Sequence, residues 1–136
     1  MKLVADANVL FSALLRKGMT RRLWFHPEAR LYAPEFLMQE AAGHQSELLK
    51  KYAGTREEVL RMLGLLARQV ELVPDSKLLP YLPAATALSS DSKDWLYLAC
   101  ALHVDAAIWT HDKEFQRQKR VKIKTTQELA EELGLL

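Results

Sequence analysis

Apolar and polar positions along this chain switch repeatedly between two spacings, and the switches mark its elements. Short apolar-rich runs of strand length recur at Lys2 to Ala5, "RLYAP" (30–34), "VELV" (70–73), "AAIWT" (106–110) and "VKIKT" (121–125). Between them, apolar residues return every three or four positions, which predicts helices. The first helix runs from Asn8 to Arg16 and stops at Gly18. A second, short one starts after Thr20 and ends before Pro27. A longer one spans Pro34 to Tyr52, with proline in its first turn and Gly54 as its closing residue. "TREEVLRMLGLLARQ" opens with Thr55 three residues before Glu58, a capping-box spacing. Ser76 to Ala87 is a weaker helix interrupted by Pro80 and Pro83. "DSKDWLYLACALH" (91–103) is a strong, mostly apolar helix. A short helix covers His111 to Lys119, and "TQELAEELGLL" closes the chain with Thr126 as its expected cap.

Strands separated by helices predict a parallel sheet with helices on both faces, an α/β/α sandwich. Ligands of such sheets bind beyond the carboxyl ends of the strands, where the strand order reverses. The residues following each strand therefore carry the functional reading.

Acids stand at those positions. Asp6 ends the first strand, pressed by "LVA" before it and "VLF" after it. Asp112 follows "IWT" by two residues. If the first and fourth strands are neighbours, these two carboxylates face each other. Glu40 lies two turns into the third helix; Phe36, Leu37 and Gly43 around it are apolar or small, which puts it on or beside the inner face. Asp91 and Asp94 open the helix "DSKDWLYLACAL", and their i, i+3 spacing puts them on one side of it. For Asp91 a capping role weighs most, since first-turn aspartates commonly cap. Burying an unpartnered carboxylate costs several kcal/mol. Acids converging on one edge repel each other and raise one another's pKa. A hard divalent cation, Mg²⁺ or Mn²⁺, takes oxygen donors and relieves both problems.

Composition bounds the answer. At 136 residues, 49% hydrophobic and 26% charged, the chain has the profile of one globular domain spanning residues 1–136. Its lone Cys100 cannot form an internal disulfide, which points to a reducing, cytoplasmic compartment. No signal peptide is visible, and no apolar run approaches the ~18 residues of a membrane span. A net charge of +2 does not by itself argue for nucleic acid. Local charge says more. Lys113 to Lys124 holds six basic residues, Arg117 and Arg120 among them, against Glu114. Arg16, Lys17, Arg21 and Arg22 form a second group. Both suit phosphate contacts near the site and equally suit a solvated face. Trp24, Trp95 and Trp109 could stack bases, although core positions suit Trp95 and Trp109 better. Cys100 sits mid-helix on an apolar stretch, where a core role outweighs a nucleophilic one. With His103 it could suggest zinc, but no second ligand pair completes the set.

"VADANVLFSALL", "YAPEFLMQEAAGH" and "DSKDWLYLACALHVDAAIWTHDKEF" together resemble the ordered acidic motifs of PIN-domain nucleases. The likeness runs from Lys2 to about Thr126. It implies a five-stranded parallel sheet in a three-layer sandwich and a Mg²⁺- or Mn²⁺-dependent ribonuclease. Carried over position by position, the acids are Asp6, Glu40, Asp94 and Asp112, with Asp91 a further candidate ligand or outer-shell group. Asn8 and Thr110 fall where hydrogen bonds orient the acids. Lys113, Arg117 and Arg120 are the candidate RNA contacts. Ser92 and His111 stand where proline and asparagine are frequent in such proteins, and neither removes an acid. The small size and the habit of the family imply the toxin of a VapBC-like pair, a small antitoxin partner, and a homodimer formed through apolar residues near Leu23, Trp24 and Phe25. The competing readings are a catalytically silent PIN-like module that binds RNA or protein, and a phosphoacceptor receiver domain. The receiver is disfavoured by the spread of the acids and the lack of a matching strand-end lysine.

Overall fold

A computed structural model describes all 136 residues. Five strands, β1 (Lys2–Ala5), β2 (Arg30–Pro34), β3 (Val70–Val73), β4 (Ala107–Trp109) and β5 (Ile123–Lys124), pair in parallel in the order β3-β2-β1-β4-β5. The central β1 is continuously apolar because both its faces are covered; Leu3, Val4 and Ala5 are all buried. The order reverses between β1 and β4, so the expected first-to-fourth strand contact is present, with Ala5 in register with Trp109.

Helix α1 (Ala7–Leu15) packs with α2 (Met19–Trp24), α3 (Phe36–Gly43), α4 (Gln45–Lys51) and α5 (Arg56–Arg68) on one side of the sheet, and α9 (Thr126–Glu132) packs on α2. The return from β3 to β4 carries α6 (Asp75–Leu78), α7 (Leu82–Leu88) and α8 (Ser92–Val104) across the other face. Here α8 lies directly on β1, β2 and β4. This is the three-layer α/β/α sandwich with a parallel five-stranded sheet. No helix is long and apolar enough to cross a membrane.

Several boundaries differ from the sequence reading, each for a local reason. The helix expected over 34–52 breaks at His44, whose amide and ring Nδ1 both engage the Glu40 carbonyl (3.2 and 2.9 Å). Gly54 does not close a helix in a left-handed conformation. It lies where a Cβ would stand 2.6 Å from Glu58 Oε2 and 2.9 Å from the Tyr52 ring. Pro80 and Pro83 each start a new turn, dividing 75–88 into α6, a 3₁₀ turn at Leu79–Tyr81, and α7. The segment after Asp112 is a 3₁₀ turn, Lys113–Arg117. The last helix is capped by Thr125, in a reciprocal box with Glu128, and not by Thr126. Thr126 instead accepts the Trp109 indole N–H at 3.0 Å and bonds His111 Nε2 at 2.7 Å.

Leu23 and Trp24 belong to the core, 1% and 0% exposed, which removes most of the apolar surface expected to form a homodimer; only Phe25 is exposed. Trp24 packs on Trp109 with ring centroids 5.9 Å apart and donates to the Leu66 carbonyl at 2.9 Å. Trp109 is fully buried and Trp95 half-buried. Neither Trp24 nor Trp109 can stack on a base. Cys100 is fully buried and its thiol is pushed up to about 12, which leaves it protonated and unreactive.

Candidate active site

The chain leaves β1 at Asp6, and the first thing Asp6 does is start α1. Its Oδ1 accepts the Val9 amide at 3.0 Å, an N-cap made by an acid at the strand's carboxyl end. Its Oδ2 accepts the hydroxyl of Thr110, which leaves β4 on the neighbouring strand. Thr110 Oγ1 in turn accepts the Asp112 amide at 2.9 Å. Asp112 then turns outward and caps the next segment, its Oδ1 accepting the Glu114 amide at 2.9 Å. One threonine thus links the acids that follow the two central strands.

The other acids enter from helices. Asp91 caps α8 by accepting the Lys93 amide at 3.0 Å, as its first-turn place implies. Asp94 is different. It is 7% exposed, and its Oδ2 accepts the Ser89 hydroxyl at 3.0 Å. Glu40, half-buried on α3, accepts the Tyr97 hydroxyl on Oε1 at 2.5 Å. All five acids line one cleft of about 220 Å³ at the carboxyl edge of the sheet.

Its electrostatics are those of uncompensated negative charge. None of the five acids forms an ion pair. Lys93 is the one Lys or Arg lining the cleft. Burial pushes the Asp6 carboxyl up to about 6. The Thr110 and Val9 hydrogen bonds pull it down, and Asp112 and Glu40 push it further up. Burial also raises Asp94, against the Ser89 bond and with the help of Asp91 and Asp112. Burial, and then the bond to Glu40, raises the Tyr97 phenol, so it stays a donor. As placed, no three of these acids converge closely enough to grip an ion between them. The donor set still fits Mg²⁺ or Mn²⁺. These ions accept one or two carboxylates and complete their shell with water, and Glu40, Asp94 and Asp112 each keep an uncommitted oxygen.

The other expected residues fall unevenly. Thr110 makes a hydrogen bond to Asp6 of the kind expected of it. Asn8 does not: its side chain is exposed at the cleft, and Val9 and Thr110 hold Asp6 instead. Lys113 is exposed immediately after Asp112. Arg117 is exposed and pairs with Glu114 at 3.4 Å. Arg120 is elsewhere. It lines a hollow with Asp105 and Ala107 at the amino ends of β4 and β5, the opposite edge from the acids. The group around Arg16 also lies away from the cleft. Helix α1 carries it about 15 Å from Asp6 at 1.5 Å per residue. Arg21 is consumed in capping, its guanidinium donating to the Ala13 and Leu14 carbonyls at 2.7 and 2.8 Å.

Tyr97, Ser89, Phe11 and His44 complete the site and were not foreseen. Tyr97 had a readable signal, since it stands one turn after Asp94 and so shares its face of α8. Ser89 had none, because it is joined to Asp94 by a turn and not by a helical repeat.

The profile of the PIN domain matches residues 4–134. This chain belongs to the PIN-domain family. No curated protein sequence matches it. Among solved structures, the PIN domain resembles VapBC2 from Rickettsia felis bound to a DNA fragment from their promoter, with a TM-score of 0.70 at 14% identity over 92% of this chain and 98% of that one. It also resembles VapBC-1 from nontypeable Haemophilus influenzae, with a TM-score of 0.66 at 18% identity over 93% and 99%. At such identities the likeness is one of fold, and in this PIN domain the sheet edge that carries Asp6 and Asp112 is the one that the reversal of strand order selects.

Proposed function

We propose that this PIN domain, read as a single domain over 1–136, is a Mg²⁺- or Mn²⁺-dependent endoribonuclease. The observation that carries the reading is the cleft of five carboxylates with no ion pair among them. Asp6, Glu40, Asp94 and Asp112 would hold the cation, and Asp91 would support them from the cap of α8. A bound divalent ion supplies Lewis-acid activation of the scissile phosphate and of the attacking water. The chain's own residues do the rest. Thr110 keeps Asp6 and Asp112 in fixed relation across the switch point. The hydrogen bonds on Asp6 favour its ionised form at neutral pH. Lys113, and Arg117 once released from Glu114, lie where they meet RNA phosphates. Water attacks phosphorus in line and the 3′-oxygen leaves, so the products carry a 5′-phosphate and a 3′-hydroxyl.

The fold shared with the two VapBC structures supports the toxin of a toxin–antitoxin pair, with a small antitoxin protein as partner; the cytoplasm as its place of action is proposed on the lone Cys100 alone. The test is cleavage of structured and single-stranded RNA with Mn²⁺, compared with Asp6→Asn. Equal activity in the variant would overturn the assignment. The wide placement of the acids favours one alternative, a catalytically silent PIN-like module that binds RNA or protein. Calorimetry showing no Mn²⁺ uptake at millimolar concentration would select it.

A further inference from the structure

Tyr97 is the one residue of the cleft that joins the two helical layers across the sheet edge. Two pairs of side chains make the joint. On α8, Asp94 and Tyr97 are one turn apart and share a face. On α3, Phe36 and Glu40 are also one turn apart. The Tyr97 ring meets Phe36 edge-on, with centroids 6.3 Å apart at 63°. That contact fixes the ring, and the hydroxyl at its tip reaches Glu40 Oε1 at 2.5 Å. Tyr97 is 3% exposed, so its ring has no freedom to swing away. A buried phenol must find a partner for its hydroxyl, and the only one it has is the carboxylate of the opposite layer.

We infer that Tyr97 is a positioning residue for Glu40: it occupies Oε1 and so presents Oε2 to the cation. The inference rests on the nuclease reading above. Glu40 is the least buried of the three acids Asp6, Glu40 and Asp94. It has no second hydrogen bond to its carboxylate, whereas Asp6 has two. Without the phenol its three side-chain torsions would be free, and a carboxylate that must be ordered on binding binds metal more weakly. Helix α8 would then serve the site twice, giving one acid through Asp94 and orienting another through Tyr97.

The experiment compares wild type, Tyr97→Phe and Glu40→Gln by Mn²⁺ calorimetry and by RNA cleavage across a Mn²⁺ titration, with thermal melts as a control. Tyr97→Phe keeps the ring against Phe36 and removes only the hydroxyl. It is expected to melt cooperatively like wild type and to bind Mn²⁺ roughly tenfold more weakly. Its cleavage is expected to return at high Mn²⁺, while that of Glu40→Gln stays low. Wild-type Mn²⁺ affinity in Tyr97→Phe, or a loss that excess Mn²⁺ does not restore, would overturn the positioning role. A wild-type protein that neither takes up Mn²⁺ nor cleaves RNA would overturn the nuclease reading, and this inference with it.

Discussion

Thr110 donates its hydroxyl proton to Asp6 Oδ2 from the adjacent strand, and its own Oγ1 accepts the amide of Asp112. Two acids that are 106 positions apart in the sequence are held by one side chain. Thr110→Val preserves shape and removes both bonds. A hydrogen bond to a charged group contributes roughly 1.5–3 kcal/mol, so the variant should be destabilised by about that much at neutral pH in thermal or urea unfolding. Its Asp6 carboxyl should also titrate higher, because the lost bond was lowering it. The acid limb of the pH–rate profile is expected to move up in Thr110→Val and to stay in place in Thr110→Ser.

The buried Asp6 carboxyl gives a stability prediction with a definite sign. Its pKa is about 6 in the fold against 3.8 for the free group. The folded state therefore holds the proton more tightly, and stability falls as pH rises through the window from about 4 to 6. Above it the charged group destabilises the metal-free protein by on the order of 2–3 kcal/mol. Asp6→Asn should melt higher than wild type at pH 7.5 in EDTA, and the difference should vanish near pH 4. Adding Mn²⁺ should raise the wild-type midpoint and leave that of the variant unchanged. A variant that gains no stability at pH 7.5 would show that Asp6 is already compensated.

Asp91 and Asp94 sit three residues apart and are expected to behave differently. Asparagine caps helices about as well as aspartate, so Asp91→Asn should fold normally and keep cleavage within about threefold if its main duty is the cap. Asp94→Asn removes a buried oxygen donor and should lose at least about 100-fold, the equivalent of a few kcal/mol of metal-derived stabilisation. A comparable loss in both variants would promote Asp91 to a ligand.

The basic residues separate by position. Lys113 adjoins Asp112 and Arg120 lies at the opposite edge of the sheet. Lys113→Ala should weaken RNA binding and lower the slope of log K against log salt by roughly one. Arg120→Ala should change neither. Fluorescence anisotropy with labelled RNA in EDTA, repeated at several salt concentrations, measures both.

The central strands and most helices were legible in the sequence because β1, β2 and β4 are largely buried and so read as apolar runs. The positions of Asp6 and Asp112 followed from one topological rule. What escaped notice depended on contacts between elements. That Asn8 leaves Asp6 alone could not be read from D-x-N, since the competing donor, Thr110, arrives from a strand distant in sequence. Arg120 was grouped with Lys113 by charge density, yet the 3₁₀ turn and the run into β5 carry it to the other edge. Leu23 and Trp24 read as surface because α2 is short; α9 packs over that helix, and the Trp24 ring is sandwiched toward Trp109. Thr126 looked like the cap, but the box that Thr125 makes with Glu128 wins by satisfying two donors at once.

Asp6 is at once the cap of α1 and one of the acids that line the cleft. Replacing it with alanine would lose a cap contribution of roughly 0.5–2 kcal/mol and the Thr110 hydrogen bond, and would also remove a buried charge that costs on the order of 2–3 kcal/mol. The losses and the gain run in opposite directions, so a chain without this acid would keep much of its stability. Folding alone therefore holds this residue only weakly. On the nuclease reading, chains that had lost the acid would still fold, and the demand for the proposed reaction is what keeps it in place.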